Sequence, residues 1–304
     1  MNMLKNRLQN RIIWVEANFN MERSWSVGHN KSISLGKTAV LMGILNVTPD
    51  SFSDGGEHNS LQDAILHAQK MFSEGAKIID IGGESTRPGF DGITLEDEQE
   101  RVLPVVKQLS LMENVLLSID TYHVETARLA LMEGANIIND IWGLQKEPEM
   151  AALVAEERAG IIIMHNSRHR NVHPDIIEDQ KFFFDKSLEI AKKSGIPDDN
   201  IVLDPGFGFG KDFQTNLALL DRAAELAMFG FPMLAATSRK RFLGTITGHC
   251  EPKMRDIATS ATSVLLRKAG FSIFRVHNIA ANRDALAVVD ALSDVENSVI
   301  EGKK

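Results

Sequence analysis

Side chains able to do chemistry gather where short apolar runs end in this chain of 304 residues. Asn46 follows Val40 to Leu45, Asp120 follows Val115 to Ile119, and Asn139-Asp140 follow Ile137-Ile138. His165 ends Ile161 to Met164, and Asp204 ends Ile201 to Leu203. Gly82-Gly83-Glu84-Ser85-Thr86-Arg87 leaves Ile78 to Ile81, Thr237-Ser238-Arg239-Lys240 leaves Met233 to Ala236, and Arg275-Val276-His277 leaves Ile273-Phe274. Arg87, Lys240, Arg275 and His277 end three separate runs and form the natural local cluster for an anionic ligand. Arg275 and His277 alternate as strand residues do, so both project to one face. An arginine in that place could instead pair with a core carboxylate.

Two other segments invite labels. Asp204-Pro205-Gly206-Phe207-Gly208-Phe209-Gly210-Lys211 is neither a Walker A loop, since Asp212 follows Lys211 and the spacing is wrong, nor a Rossmann fingerprint, since its glycines alternate strictly. It reads as a tight turn that aims Asp204, or as a turn and nothing more. His165, His169 and His173 are spaced by four, which on a helix would suit zinc. Two intervening arginines and Pro174 favour a loop, and a basic, mobile loop beside an anionic substrate is the preferred reading.

Eight apolar runs alternate with stretches of helical period: Leu61 to Glu74, Thr94 to Leu111, Val124 to Glu133, Met150 to Ala159, Ile177 to Lys193, Thr215 to Phe229 and Met254 to Ala269. Such alternation predicts βαβ units and a parallel sheet. Gly75-Ala76, Gly134-Ala135, Ala159-Gly160 and Ala269-Gly270 read as helix stops. The expected fold is α/β, a (β/α)8 TIM barrel, with the chemistry at the C-terminal ends of the strands. Residues 1–37 read as a short N-terminal extension across one end of the barrel, 38–295 as the barrel, and 296–304 as a C-terminal tail.

The net charge of −8 argues against a nucleic-acid partner. The single cysteine, Cys250, cannot form an internal disulfide. Residues 1–19 carry no sustained apolar core, and no run is long enough to span a membrane. A cytoplasmic protein without membrane association is expected.

The stretch Gly43-Ile44-Leu45-Asn46-Val47-Thr48-Pro49-Asp50-Ser51-Phe52-Ser53-Asp54-Gly55-Gly56 resembles the first signature of the dihydropteroate synthase family, folate-pathway transferases targeted by sulfonamides. Gly82-Gly83-Glu84-Ser85-Thr86-Arg87-Pro88-Gly89 resembles the second. Asn139-Asp140, Leu203 to Lys211, Ser238-Arg239-Lys240 and Arg275-Val276-His277 complete a likeness covering roughly Val40 to Leu292.

The resemblance implies condensation of 7,8-dihydropterin-6-ylmethyl diphosphate with 4-aminobenzoate, giving 7,8-dihydropteroate and diphosphate. It implies a pterin pocket of Asp120, Asn139, Asp204 and Lys240, a diphosphate pair of Arg275 and His277, and Asn46 as ligand to Mg²⁺. Asp50, Thr86 and Arg87 would lie on closing loops, and Ser238 with Phe207 or Phe209 would complete the aminobenzoate pocket. A homodimer is implied as well. A pterin buried in such a pocket needs a carboxylate, an amide and a cation to meet its donor and acceptor edge.

The chain departs from the family pattern at Asn166 after Met164-His165, at Ala236-Thr237 before Ser238, and at Asn278 after His277. These changes bear on the rim. Two other readings are a noncatalytic pterin-binding paralogue and a pterin-dependent methyltransferase on the same barrel. The full set of Asn46, Arg87, Asp204, Lys240, Arg275 and His277 speaks against the first, and Arg275 with His277 against the second.

Overall fold

The computed structural model describes residues 22–48, 56–84 and 93–301. Asp50, Thr86 and Arg87 lie outside them. A hairpin comes first, β1 (Arg23–Val27) and β2 (Lys31–Leu35). The repeating units follow: β3 (Val40–Asn46), α1 (Gly56–Ser73), β4 (Ile78–Gly82), α2 (Leu95–Leu109), β5 (Leu116–Asp120), α3 (Val124–Met132), β6 (Ile137–Asp140) and α4 (Glu149–Glu157). Then come β7 (Gly160–Met164), α5 (Ile176–Ser194), β8 (Ile201–Asp204), α6 (Phe213–Asp221), α7 (Ala223–Leu226), β9 (Leu234–Ala235), α8 (Arg241–Thr247), α9 (Asp256–Lys268), β10 (Ile273–Val276) and α10 (Ile279–Glu301).

The eight strands β3 to β10 pair in parallel in the order β8-β7-β6-β5-β4-β3-β10-β9. A parallel bridge between Leu203 and Met233, with Leu203 N–H donating to Pro232 O at 3.0 Å, joins the two edges and closes the barrel. Closure removes unpaired strand edges and makes an inside and an outside.

Alternation along each strand then sorts the residues. Val40, Met42, Ile78, Leu116, Ile137, Ile162, Val202, Leu234 and Ile273 fill the lower interior. Their neighbours Leu41, Ile79, Leu117, Ile138, Ile161, Leu203 and Phe274 face outward under the helices. Counting by twos from the lower layer brings Asp80, Asp120, Asn139, Asp204, Arg275 and His277 to the inner face, nearer the strands' C-terminal ends.

The hairpin plugs the opposite end. Trp25 is 1% exposed and donates its indole N–H to Asn200 O at 2.9 Å, and Val27 and Leu35 join the lower layer. The described part of the extension is thus a lid over the strand starts, with Gly28 N–H donating to Asn136 O at 2.9 Å.

Several sequence expectations change. The stretch from Thr215 to Phe229 is not one helix: it breaks at Arg222, whose guanidinium is drawn to Glu225 and to Asp175 at the start of α5. Helices α8 and α10 lie outside the stretches named from helical period, and α10 carries residues 296–301 of the expected tail. After α4 the left-handed residue is Arg158 (φ 51°), not a glycine. Gly160 instead opens β7, where a Cβ would stand 2.8 Å from Val27 Cγ1.

Candidate active site

The inner faces of β4, β5, β6 and β10 bring four polar side chains together. Arg275 donates from Nε to Asp80 Oδ2 and from Nη2 to Asp120 Oδ2, each at 2.6 Å. Asn139 Nδ2 donates to Asp80 Oδ2 at 3.3 Å. Register explains the grouping, because Asp80 stands beside Ser118 and Asp120 beside Asn139 on paired strands. Three buried acceptors or hydroxyls here, Asp80 Oδ1, Asn139 Oδ1 and Ser118 Oγ, have no hydrogen-bond partner among the described residues. Unsatisfied buried polar atoms are costly, and at a barrel mouth they point to a ligand's donors or to water.

Asp80 is the residue that sequence reasoning missed. Its signal was present, since a carboxylate inside Ile78-Ile79-Asp80-Ile81 would sit unpaired in a buried strand unless a cation reached it. The alternative considered for Arg275, pairing with a core carboxylate, is realised twice over.

Asp204, 2% exposed at the end of β8, accepts from Gly206 N–H at 2.8 Å. Burial pushes its carboxyl up to about 6, against the pull of Gly206, Lys240, Arg275 and Lys211. Burial likewise raises Asp120 to about 7, with Arg275 opposing and Asp80 adding to the rise. Lys240 is lowered to about 8, first by burial and then by Arg275. Its Nζ lies 4.3 Å from the centre of the Phe209 ring, and Arg168 Cζ lies 4.9 Å from the same ring. Phe209 therefore belongs to the mouth, beside Ile141 and Met164. Phe207 does not: it is fully buried in the outer core and stacks on Phe242 at 6.1 Å.

His277 and Ser238 meet across the last two strand ends. Ser238 Oγ accepts the His277 backbone N–H at 3.1 Å and lies 2.8 Å from Nδ1. A hydroxyl can accept that N–H and donate to Nδ1 at once, an arrangement that places the ring proton on Nε2. Burial, then Arg239 and Arg275, hold His277 at about 3, so it is neutral at ordinary pH rather than the cation anticipated. Of the neighbouring basic run, Arg239 is committed to Asp256 at 2.6 and 2.8 Å and Arg241 is exposed.

The histidine-rich loop is anchored through His165 and Arg170, while Arg168 lies at the mouth over Phe209 and His169 is exposed. His165 is fully buried, with Nε2 3.0 Å from Asp179 Oδ2, and Arg170 forks onto the same carboxylate at 2.9 and 2.5 Å. Asn166, at the family departure, is also buried and donates to Ile141 O at 3.1 Å. No group of three or more His, Cys, Asp or Glu able to hold a metal occurs among the described residues. Asn46 ends β3, half-buried and on the inner face, and among the described residues its side chain makes no hydrogen bond.

Comparison with known proteins gives a consistent answer. Residues 42–277 match the family described as pterin binding enzyme. The chain is 46% identical over 255 residues to the dihydropteroate synthase of Streptococcus pyogenes serotype M3, covering 84% of this chain and 96% of that one. The structure of dihydropteroate synthase from Clostridium difficile in the presence of pteroic acid superposes with a TM-score of 0.82 at 46% identity, over 85% of this chain and 98% of that one. The Xanthomonas albilineans enzyme with 4-aminobenzoic acid gives a TM-score of 0.85 at 37% identity, over 90% and 98%.

Proposed function

The chain belongs to the dihydropteroate synthase family of pterin-binding enzymes, and from that premise we propose how its own residues divide the reaction. The reaction joins 7,8-dihydropterin-6-ylmethyl diphosphate to 4-aminobenzoate. The C–O bond at the pterin methylene breaks, and diphosphate leaves with the electron pair. The amine nitrogen forms the new C–N bond and gives its proton to solvent.

The observation that carries the residue roles is the set of inward polar groups on adjoining strands, with buried acceptors left open at Asp80 and Asn139. Asp204 takes the amidine-like edge of the pterin, Lys240 the carbonyl and ring-nitrogen side, and Asn139 and Asp120 the remaining ring positions. Asp80 anchors Arg275 through Nε, and the guanidinium N–H groups not engaged by Asp80 and Asp120 are available to the diphosphate. His277 donates from Nε2 to the same group. Preorganised donors there meet charge as it grows on the leaving oxygen. Phe209 and Ser238 flank the aminobenzoate, and Asp50, Thr86 and Arg87 serve the closing loops.

The Asn46 amide oxygen is a hard donor and fits Mg²⁺, which commonly takes one or two protein ligands, several waters and substrate phosphates. When bound, the ion neutralises diphosphate charge. A homodimer is supported by Ile257 and Leu265 on α9 and Val288 and Leu292 on α10, all exposed between 54% and 86% on two packed helices. The described residues contain no helix long and apolar enough to cross a membrane.

The test is release of diphosphate from purified protein, expected only with Mg²⁺, pterin diphosphate and 4-aminobenzoate together. Tight pterin binding without dihydropteroate would leave a binding paralogue. A sulfonamide is expected to compete with 4-aminobenzoate and not with the pterin.

A further inference from the structure

Lys211 closes the glycine-rich loop and is 9% exposed, yet no role in the reaction reaches it. Its ammonium donates to Gly206 O and to His165 Nδ1, both at 2.9 Å, and more weakly to Phe209 O at 3.4 Å. Among the described residues no carboxylate accepts directly from it. Gly206 joins it to the pterin anchor, because the Gly206 N–H donates to Asp204 Oδ1 while the Gly206 C=O accepts from Lys211. The backbone packs closely here, at a position only glycine fits. Gly206 has φ +66°, and a Cβ there would lie 1.9 Å from His165 O.

His165 supplies the far wall. With Nε2 toward Asp179, its Nδ1 is left to accept from Lys211, and Arg170 completes the line by gripping Asp179. A buried ammonium is strongly disfavoured unless something compensates it. Here the compensation comes from neutral acceptors in contact and from carboxylates further off, chiefly Asp204 and then Asp179, while Arg170 and Lys240 oppose.

Resting on the reading of Asp204 as pterin anchor, we infer that Lys211 is a positioning residue: through Gly206 it latches the glycine-rich loop around Asp204 and adds a buried positive charge that favours the Asp204 carboxylate. The charges around Asp204 support a separate duty for it. Lys240 and Arg275 also face Asp204 and weigh on it more than Lys211 does, but Arg275 is held by Asp80 and Asp120 and Lys240 lies over Phe209 at the mouth, whereas Lys211 is fixed to the Gly206 carbonyl under the loop. Burial brings Lys211 to about 7 and Asp204 to about 6, so carboxylate and ammonium coexist in the pH range between. The binding form of Asp204 is the carboxylate, and pterin affinity falls as pH drops through its value. Removing a cation raises that value.

The experiment measures affinity for a phosphate-free dihydropterin across roughly pH 5 to 8, a window set by the two groups' titration. Lys211→Met and Lys211→Gln are expected to move the acid limb upward by about one pH unit, a loss of about tenfold below it that narrows at higher pH. Lys211→Arg keeps the charge and is expected to leave the limb near its original position. Loss that is equal at every pH would make Lys211 a structural residue only and overturn the inference. If Asp204→Asn leaves pterin binding intact, the reading of the site fails first and separately. Should both neutral variants fail to fold, the carboxyl resonance of Asp204 in the unaltered protein decides: a second step where Lys211 titrates supports the coupling, and a single step overturns it.

Discussion

At the residue scale the active site is a problem of buried charge. Asp80, Asp120 and Asp204 face Arg275, Lys240 and Lys211 in one barrel mouth, and each carboxylate was placed by the period-two rule once its strand faced inward. Asp204→Ala should cost roughly 2–5 kcal/mol of pterin binding, because the substrate's donors and Lys240 lose a desolvated partner; calorimetry checks it. Arg275→Ala is a poor probe of diphosphate binding, since it strands Asp80 and Asp120. Arg275→Lys retains the charge but not the fork, and should lower kcat by at least about tenfold with less effect on phosphate-free pterin affinity. Chelation of Mg²⁺ should abolish diphosphate release yet leave that pterin affinity unchanged, which separates the metal's duty from the pocket's.

At the element scale, loops after the strands are held by buried polar groups rather than by their own composition. Asp179 on α5 gathers His165, Arg170 and the His173 N–H at 2.7 Å. Burial alone would raise its carboxyl, but those three partners hold it well below the ordinary range. A depressed carboxylate contributes stability above its unfolded value near 3.8, and that contribution is lost as pH falls below it. Asp179→Asn should therefore destabilise by about 3–5 kcal/mol at neutral pH and flatten the acid arm of a thermal-stability profile. The hairpin end follows packing instead. Gly160→Ala would press a methyl against Val27 and Ile137 and cost about 1–3 kcal/mol, seen as a lower Tm with KM values unchanged, because the site lies at the other end.

At the scale of the whole molecule, a closed barrel leaves its helices as the surface available to a partner copy. Ile257 and Leu265 repeat at the spacing of one helical face on α9, and Val288 with Leu292 does so on α10. If the proposed homodimer pairs through this face, Ile257→Asp combined with Leu265→Asp should convert it to monomer in light scattering. Retention of the dimer would move the interface elsewhere.

The sequence by itself determined the barrel and most of its chemistry. Apolar runs ending in Asp120, Asn139, Asp204 and Arg275 can be satisfied only by strands whose ends share one mouth, and the two long signatures named the family. What it could not determine were contacts between groups far apart in the chain. Asp80 meets Arg275 across 195 positions, and Trp25 meets Asn200 across 175. Such pairings depend on register and closure, which no local pattern encodes. The same reason hid the fate of His165 and Lys211, which folding buries 2.9 Å apart.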